Sequence, residues 1–144
     1  MISYNEAFEL TLQHIQPLGL ERVDLLSAEG RIAGEDLLAK VDSPSLDVSF
    51  KDGYAVQSGD VGGAAPDSPV CLRLVGNSAA GGGWHGEIRS GEAVRILSGA
   101  PVPAGADAVV SEEFTRAQSG KIYVMNTAGP GRNILARGLD IREG

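Results

Sequence analysis

Cysteine is nearly absent: the single thiol, Cys71, cannot form an internal disulfide. One cysteine in the chain suits a reducing, cytoplasmic compartment. Histidine is also scarce. His14 and His85 lie far apart and neither joins a Cys/His cluster, so metal ligation through nitrogen or sulfur has little footing. No stretch approaches the about 18 uninterrupted apolar residues of a membrane span. The N-terminal MISYNEAFELTLQ shows neither a basic leader region nor an apolar one. Positive charge is short, with 12 Lys and Arg against 19 Asp and Glu, a net charge of −7. Such a surface repels phosphate backbones and anionic lipid, so neither nucleic acid nor a membrane is the expected partner. No G-x-S-x-G elbow surrounds Ser49, Ser58, Ser98 or Ser111. The glycine-rich AAGGGWHG beginning at Ala79 lacks the Lys-Ser/Thr ending of a phosphate loop and reads as a flexible turn.

Glycine is what the chain has in excess. Twenty glycines and 7 prolines among 144 residues suit many short strands joined by tight turns, and count against a helix bundle. At this length a core can bury about 68% of the unfolded surface without staples. Ser3 and Glu6 have capping-box spacing, and Phe8, Leu12 and Ile15 recur at helical period, which predicts a helix over about residues 3–15, stopped by Pro17 and Gly19. Short strands are expected at Val23–Leu25, Glu35–Val41, Tyr54–Val56, Val70–Val75, Gly91–Leu97 and Ala108–Val110. One or two helical turns are expected over Ser27–Ile32, and a hairpin from Phe114–Ala117 and Lys121–Met125 around Gln118-Ser119-Gly120. GPGRN marks the last turn, before Ile134. Cys71 reads as a small core residue of its strand, and His14 and His85 as surface positions. The class is mainly β with a helix at the N-terminus.

Carboxylates are the plentiful reactive groups. Asp47 and Asp52 bracket a short step that holds Ser49, and carboxylates beside a loop can hold a divalent cation through oxygen. The same residues also allow a plainer reading. Asp52-Gly53 can be only a turn, with Asp bonding its own backbone and Gly supplying positive φ.

Three segments in order carry a resemblance: DVSFKDGYAV at 47–56, RILSGAPVPAGADAVVSEE at 95–113 and GPGRNILARGLDIREG at 129–144. Together with the N-terminal PLGLERVDLLSAEGRIAGEDLLA, they resemble the molybdopterin molybdenumtransferase family (the MoeA and gephyrin E-domain family) over essentially the whole chain. The resemblance implies the N-terminal region of such a protein. That region has two lobes of coiled, bifurcated β-sheet, with residues 1–40 and 138–144 in a discontinuous first lobe and 41–137 in the second. Family members insert molybdate into adenylylated molybdopterin, with release of AMP and assistance from Mg²⁺. They work as homodimers whose cleft lies between the second lobe of one subunit and an α/β pterin domain of the other. By resemblance, Asp52, Ser98 and Asp140 are catalytic, Asp47, Ser49 and Arg137 bind substrate, and Asp52 and Glu113 hold the metal. Val48 and Phe50 depart from the bacterial form of the first motif, whereas Lys51 matches the gephyrin branch. In the last motif Leu135, Ala136 and Leu139 stand where the family has two arginines and an acid. Arginine binds oxyanions through its fork of donors, so these changes leave a second reading open: a binding or dimerisation module that kept the fold and lost the chemistry. By either reading, the 144-residue chain alone is expected to be inactive.

Overall fold

The computed structural model describes residues 1–16 and 18–144 and divides the chain into two compact units, Met1–Leu37 and Leu38–Gly144. In the first unit, helix α1 spans Tyr4–His14. Its capping box forms as the spacing predicts. The Glu6 N–H donates to Ser3 Oγ at 3.3 Å and the Ser3 N–H donates to Glu6 Oε2 at 2.7 Å. Backbone at Ile15 is extended, which ends the helix there. Pro17, expected to help stop it, lies outside the described residues. No helix residue is buried, and Phe8 and Leu12 on its apolar stripe are both about half exposed.

Two expected strands are absent. Val23–Leu25 runs into a single 3₁₀ turn, Leu25–Ser27, and Glu35–Val41 forms no strand. Val23–Leu25 alternates and Glu35–Val41 carries Leu37, Leu38 and Ala39 in an ambiguous phase, but neither finds a strand to pair with, and an extended run without a ladder leaves backbone polar groups unpaired. The helical turns expected over Ser27–Ile32 reduce to that 3₁₀ turn and a bend through Gly30 at φ +74°.

The second unit is built on β1 (Val48–Ser49), β2 (Gly53–Val56), β3 (Val70–Ser78), β4 (Glu92–Ile96), β5 (Ala108–Ser111), β6 (Thr115–Gln118), β7 (Lys121–Val124) and β8 (Ile134–Leu135). Six strands form one sheet in the order β5-β2-β4-β3-β7-β6, while β1 and β8 pair separately. All pairings are antiparallel except β3 with β4. Strands β2 and β5 are buried along their whole length, because apolar groups cover both faces of the sheet. Tyr54, Val56, Val110, Leu72 and Ile122 pack on one side; Ala55, Val109, Val94, Ile96 and Ile88 pack on the other. The alternation Tyr54/Ala55/Val56 shows the period of two that assigns successive residues to opposite cores.

The hairpin closes on Ser119-Gly120, with φ of +50° and +74°, the primed-turn geometry whose twist matches the strands. Strand β3 runs three residues beyond its expected end and has a register shift between Leu74 and Gly76. The glycine-rich loop after it is more than a flexible turn. Trp84 folds back so closely that a Cβ on Gly76 would lie 2.4 Å from its ring nitrogen, and one on Gly86 2.3 Å from its ring carbons. Cys71 is exposed, not a core residue. Its neighbour Leu72 takes the inward phase, while Cys71 pairs with Tyr123 in register with the outward Arg73.

Gly53 also differs from expectation. It does not lie at positive φ; it starts β2, and a Cβ there would sit 2.0 Å from the carbonyl oxygen of Val110 on β5. Gly53→Ala should therefore destabilise the chain by about 1–3 kcal/mol, as overpacking against fixed backbone does. Gly59→Ala, where open space surrounds the position, should stay within about 0.5 kcal/mol. Urea denaturation of both variants checks the contrast.

Candidate functional site

The segment Asp47–Asp52 is held on two sides. On one side Ser49 N–H donates to Ala100 O at 2.9 Å, Gly99 N–H to Ser49 O at 2.8 Å, and Val102 N–H to Asp47 O at 2.9 Å. On the other, β1 pairs with β8, and Phe50 N–H donates to Asn133 O at 2.9 Å. These contacts carry Asp52 to Ser98. The Ser98 N–H donates to Asp52 Oδ1 at 2.7 Å, and Ser98 Oγ donates to Phe50 O at 3.0 Å. A further bond from Glu112 N–H to Asp52 O, at 3.0 Å, draws the 3₁₀ turn Glu112–Phe114 to the same place.

The result is an open groove of about 580 Å³ lined by Phe50, Lys51, Asp52, Ser98, Ser111, Glu112 and Glu113. It adjoins a smaller cleft of about 190 Å³ that shares Lys51, Ser111 and Glu113. Asp52 thus meets Ser98 and Glu113, which stand at either end of the 95–113 motif. Glu113 accepts a short hydrogen bond from Ser111 Oγ. Glu112 pairs with Arg95 at 3.3 Å, but both side chains are about half exposed, so the pair contributes little. Burial, and then the Glu112 carboxylate, push the Tyr54 phenol upward.

The other expected site residues lie elsewhere. Ser49 is buried, and its hydroxyl donates to Lys51 O at 2.6 Å and accepts from Lys51 N–H at 3.2 Å. It shapes the groove through the backbone of Lys51. Asp47 Oδ1 accepts from the Arg137 N–H at 2.8 Å, and Arg137 Nε donates to Asp42 Oδ2 at 2.6 Å. Neither Asp47 nor Arg137 lines the groove. Asp140 is exposed, and its N–H donates to Ser43 O at 3.0 Å. The segment 138–144 falls in the second unit, bonded to residues 39–44: Ile141 N–H donates to Ser43 O and Gly144 N–H to Ala39 O.

Among the residues missed from the sequence, Ser111 and Glu112 directly precede Glu113, and their motif could have pointed to them. Asp42 carried no local signal, since its partners Arg137 and Glu143 are about a hundred positions away. His14 and His85 are exposed as expected.

The donor set of the groove is all oxygen. Asp52 and Glu113 each use one carboxylate oxygen in the hydrogen bonds above, leaving the other for a ligand. No group of three or more His, Cys, Asp or Glu side chains able to hold a metal occurs among the described residues. Two carboxylates fit Mg²⁺, which keeps most of its waters and completes its shell with oxygens of its substrate. They do not make a closed protein cage. No described helix is long and apolar enough to cross a membrane.

Comparison with known proteins adds to this geometry. Residues 2–144 match the family described as MoeA N-terminal region (domain I and II). The chain is 38% identical to the molybdopterin molybdenumtransferase of Synechococcus elongatus over its whole length, covering 36% of that protein. It is 34% identical to the one from Haemophilus influenzae, again over its whole length, covering 35% of that protein. It therefore spans about a third of these relatives. The crystal structure of the molybdopterin biosynthesis MoeA protein from Pyrococcus horikoshii superposes on the whole chain with a TM-score of 0.89 at 34% identity, covering 38% of that protein.

The acidic anchors predict a pH dependence. The Glu143 backbone N–H, and then the Arg137 guanidinium, hold the Asp42 carboxyl below its ordinary range. Ser58 does the same for Asp107 through its hydroxyl and its N–H. A depressed carboxylate stabilises the fold above its unfolded pKa, and that contribution is lost as pH falls through the folded value. Thermal stability should therefore drop as pH falls below about 4. Melting curves of Asp42→Asn and Asp107→Asn should show lower stability at neutral pH and a shallower acid decline than the parent.

Proposed function

The chain belongs to the MoeA N-terminal-region family, and we propose that it supplies one wall of the active-site cleft of a protein that inserts molybdate into adenylylated molybdopterin. The observation that carries this reading is the meeting of Asp52, Ser98 and Glu113 in one groove, from the motifs at 47–56 and 95–113. In this reading Asp52 is the central carboxylate. Its free oxygen faces substrate, while the Ser98 N–H holds its other oxygen and so fixes its orientation. Asp52 and Glu113 would hold Mg²⁺, which when bound neutralises charge on phosphate oxygens. Ser49 positions the Lys51 backbone. Asp47 and Arg137 fix the 136–141 turn, from which the exposed Asp140 reaches ligand in the assembled protein.

A groove this open does not orient a pterin by itself. Correct positioning can supply about 7–11 kcal/mol of a barrier, and the curated relatives extend well beyond the matched region. The resemblance places residues 1–40 and 138–144 in a first lobe and 41–137 in a second; the Gly144 N–H to Ala39 O bond favours this division, whereas Gly138, Asp140 and Ile141 bond to Pro44 and Ser43. The exposed apolar side chains of α1 support homodimerisation, because large uncovered apolar patches mark contact surfaces. The acidic charge and the lone thiol support a cytoplasmic protein without nucleic-acid or membrane partners.

The 144-residue chain, mixed with adenylylated molybdopterin, molybdate and Mg²⁺, should release AMP no faster than the protein-free mixture. A chimera in which it replaces the matching region of the Synechococcus elongatus relative should release AMP, and Asp52→Ala in that chimera should slow release by about 100-fold or more. Release by the chain alone would overturn the one-wall reading. A folded but inactive chimera would favour the non-catalytic module, with Leu135, Ala136 and Leu139 as the cause. Separately, sedimentation should show self-association of the chain that Phe8→Glu weakens.

A further inference from the structure

The smaller cleft beside the groove has a charge pattern at odds with the rest of the chain. Its wall includes Lys51, Ser111, Glu113, Asn126, Arg132 and Asn133. Two cations therefore face one cleft of about 190 Å³ in a protein whose net charge is −7. Among the described residues the four ion pairs engage Arg31, Arg73, Arg95 and Arg137, and neither Lys51 nor Arg132 takes part in one. Lys51 has only the face of Phe50, 5.6 Å from its ammonium, a contact that contributes little at an exposed position.

The backbone holds these cations together. Phe50 N–H donates to Asn133 O, so Lys51, which follows Phe50, and Arg132, which precedes Asn133, leave the chain on either side of one hydrogen bond. Arg132 is fixed in turn by Val109 N–H donating to its carbonyl at 2.9 Å, and Asn133 by its Nδ2 donating to Val109 O at 2.9 Å. Lys51 and Arg132 are both exposed, and like charges brought to one cleft wall repel unless an anion lies between them. Glu113, the acid on this wall, is engaged by the Ser111 hydroxyl and forms no ion pair with either cation. Asn126 adds an amide: its Oδ1 accepts from Thr127 N–H, and its nitrogen donates to no protein acceptor among the described residues. At about 190 Å³ the cleft is smaller than the roughly 300 Å³ from which pockets for drug-sized ligands begin. A small ion or a single charged group fits better than a whole cofactor.

We propose that Lys51 and Arg132, with the Asn126 amide, form a subsite for a phosphate-type oxyanion next to the Asp52 groove. The arginine fork takes two oxygens of the anion, Lys51 supplies a point charge, and Asn126 donates to a further oxygen. Glu113 opposes the anion and weakens its binding. This assignment rests on the geometry of the cleft and does not depend on molybdate insertion.

The test is titration of the 144-residue chain with inorganic phosphate at constant ionic strength, followed through its amide spectrum. Saturable shifts should concentrate at residues 109–113 and 126–133, with chloride producing none. Lys51→Gln and Arg132→Gln should each weaken binding by about tenfold or more, while Arg116→Gln, a surface arginine outside the cleft, should leave it unchanged. Glu113→Gln should tighten binding, an increase that partial unfolding cannot imitate. Glycerol 3-phosphate identifies the source: tighter binding than inorganic phosphate marks a monoester tail seated from the groove, and weaker binding marks a free oxyanion. Phosphate shifts that do not saturate, affinity unchanged in both cation variants, or weaker binding in Glu113→Gln would overturn the proposal.

Discussion

The double clamping of residues 47–52 is the constraint on which the rest of the site depends. This stretch bonds through its backbone to Ala100 and Val102 on one side and to Asn133 and the β8 strand on the other. Neither neighbour is close in sequence. The clamp brings the Asp52 carboxylate within 2.7 Å of the Ser98 N–H, and it places Lys51 and Arg132 on the same wall. Side chains on loops gain precision only when their backbones are held by a rigid scaffold. Here that scaffold is β2, buried on both faces and hydrogen-bonded to β4 and β5.

Close backbone approach makes this scaffold possible. Gly53 lets β2 lie against β5 at a separation that a methyl group would prevent. Gly76 and Gly86 admit the Trp84 ring in the same way, and Trp84 then packs against the core cluster that holds Ala55 and Val109. The glycine excess is therefore spent partly on contact between elements and not only on turns. Since β5 ends at Ser111, where the groove begins, the spacing set by Gly53 reaches the site through Ser111, Glu112 and Glu113.

Charge is distributed with equal economy. Most acids are exposed, and those that matter structurally accept from backbone N–H groups: Asp52 from Ser98, Asp47 from Arg137, Asp42 from Glu143, Asp60 from Gly91. A carboxylate bonded to a backbone donor ties two segments together without needing a cation, which suits a chain short of Lys and Arg. Among the described residues it also leaves Lys51 and Arg132 without a carboxylate partner.

Local rules determined much of this protein from sequence alone. Ser3 and Glu6 cap α1 because both partners lie within one helical turn, and Ser119-Gly120 closes its hairpin because the turn residues themselves prefer positive φ. The strands at 53–56, 92–96 and 108–111 were legible because their apolar residues are buried wherever a sheet places them. The motif around Asp52 could be recognised, and with it the family. Where a feature needed a partner, the sequence was silent or misleading. Glu35–Val41 has strand-like composition and no strand beside it. Cys71 could have been placed outward, since Arg73 two positions on shares its face, but only pairing with Tyr123 decides the phase. Gly53 looked like a turn glycine until Val110 was placed above it. Of the residues expected at the site, tertiary structure alone separated Asp52, Ser98 and Glu113, which share a groove, from Asp47, Ser49, Arg137 and Asp140, which do not line it. The physical reason is the same throughout: cap and turn preferences act over a few residues, whereas pairing, close approach and the enclosure of a cleft depend on segments fifty to a hundred positions apart.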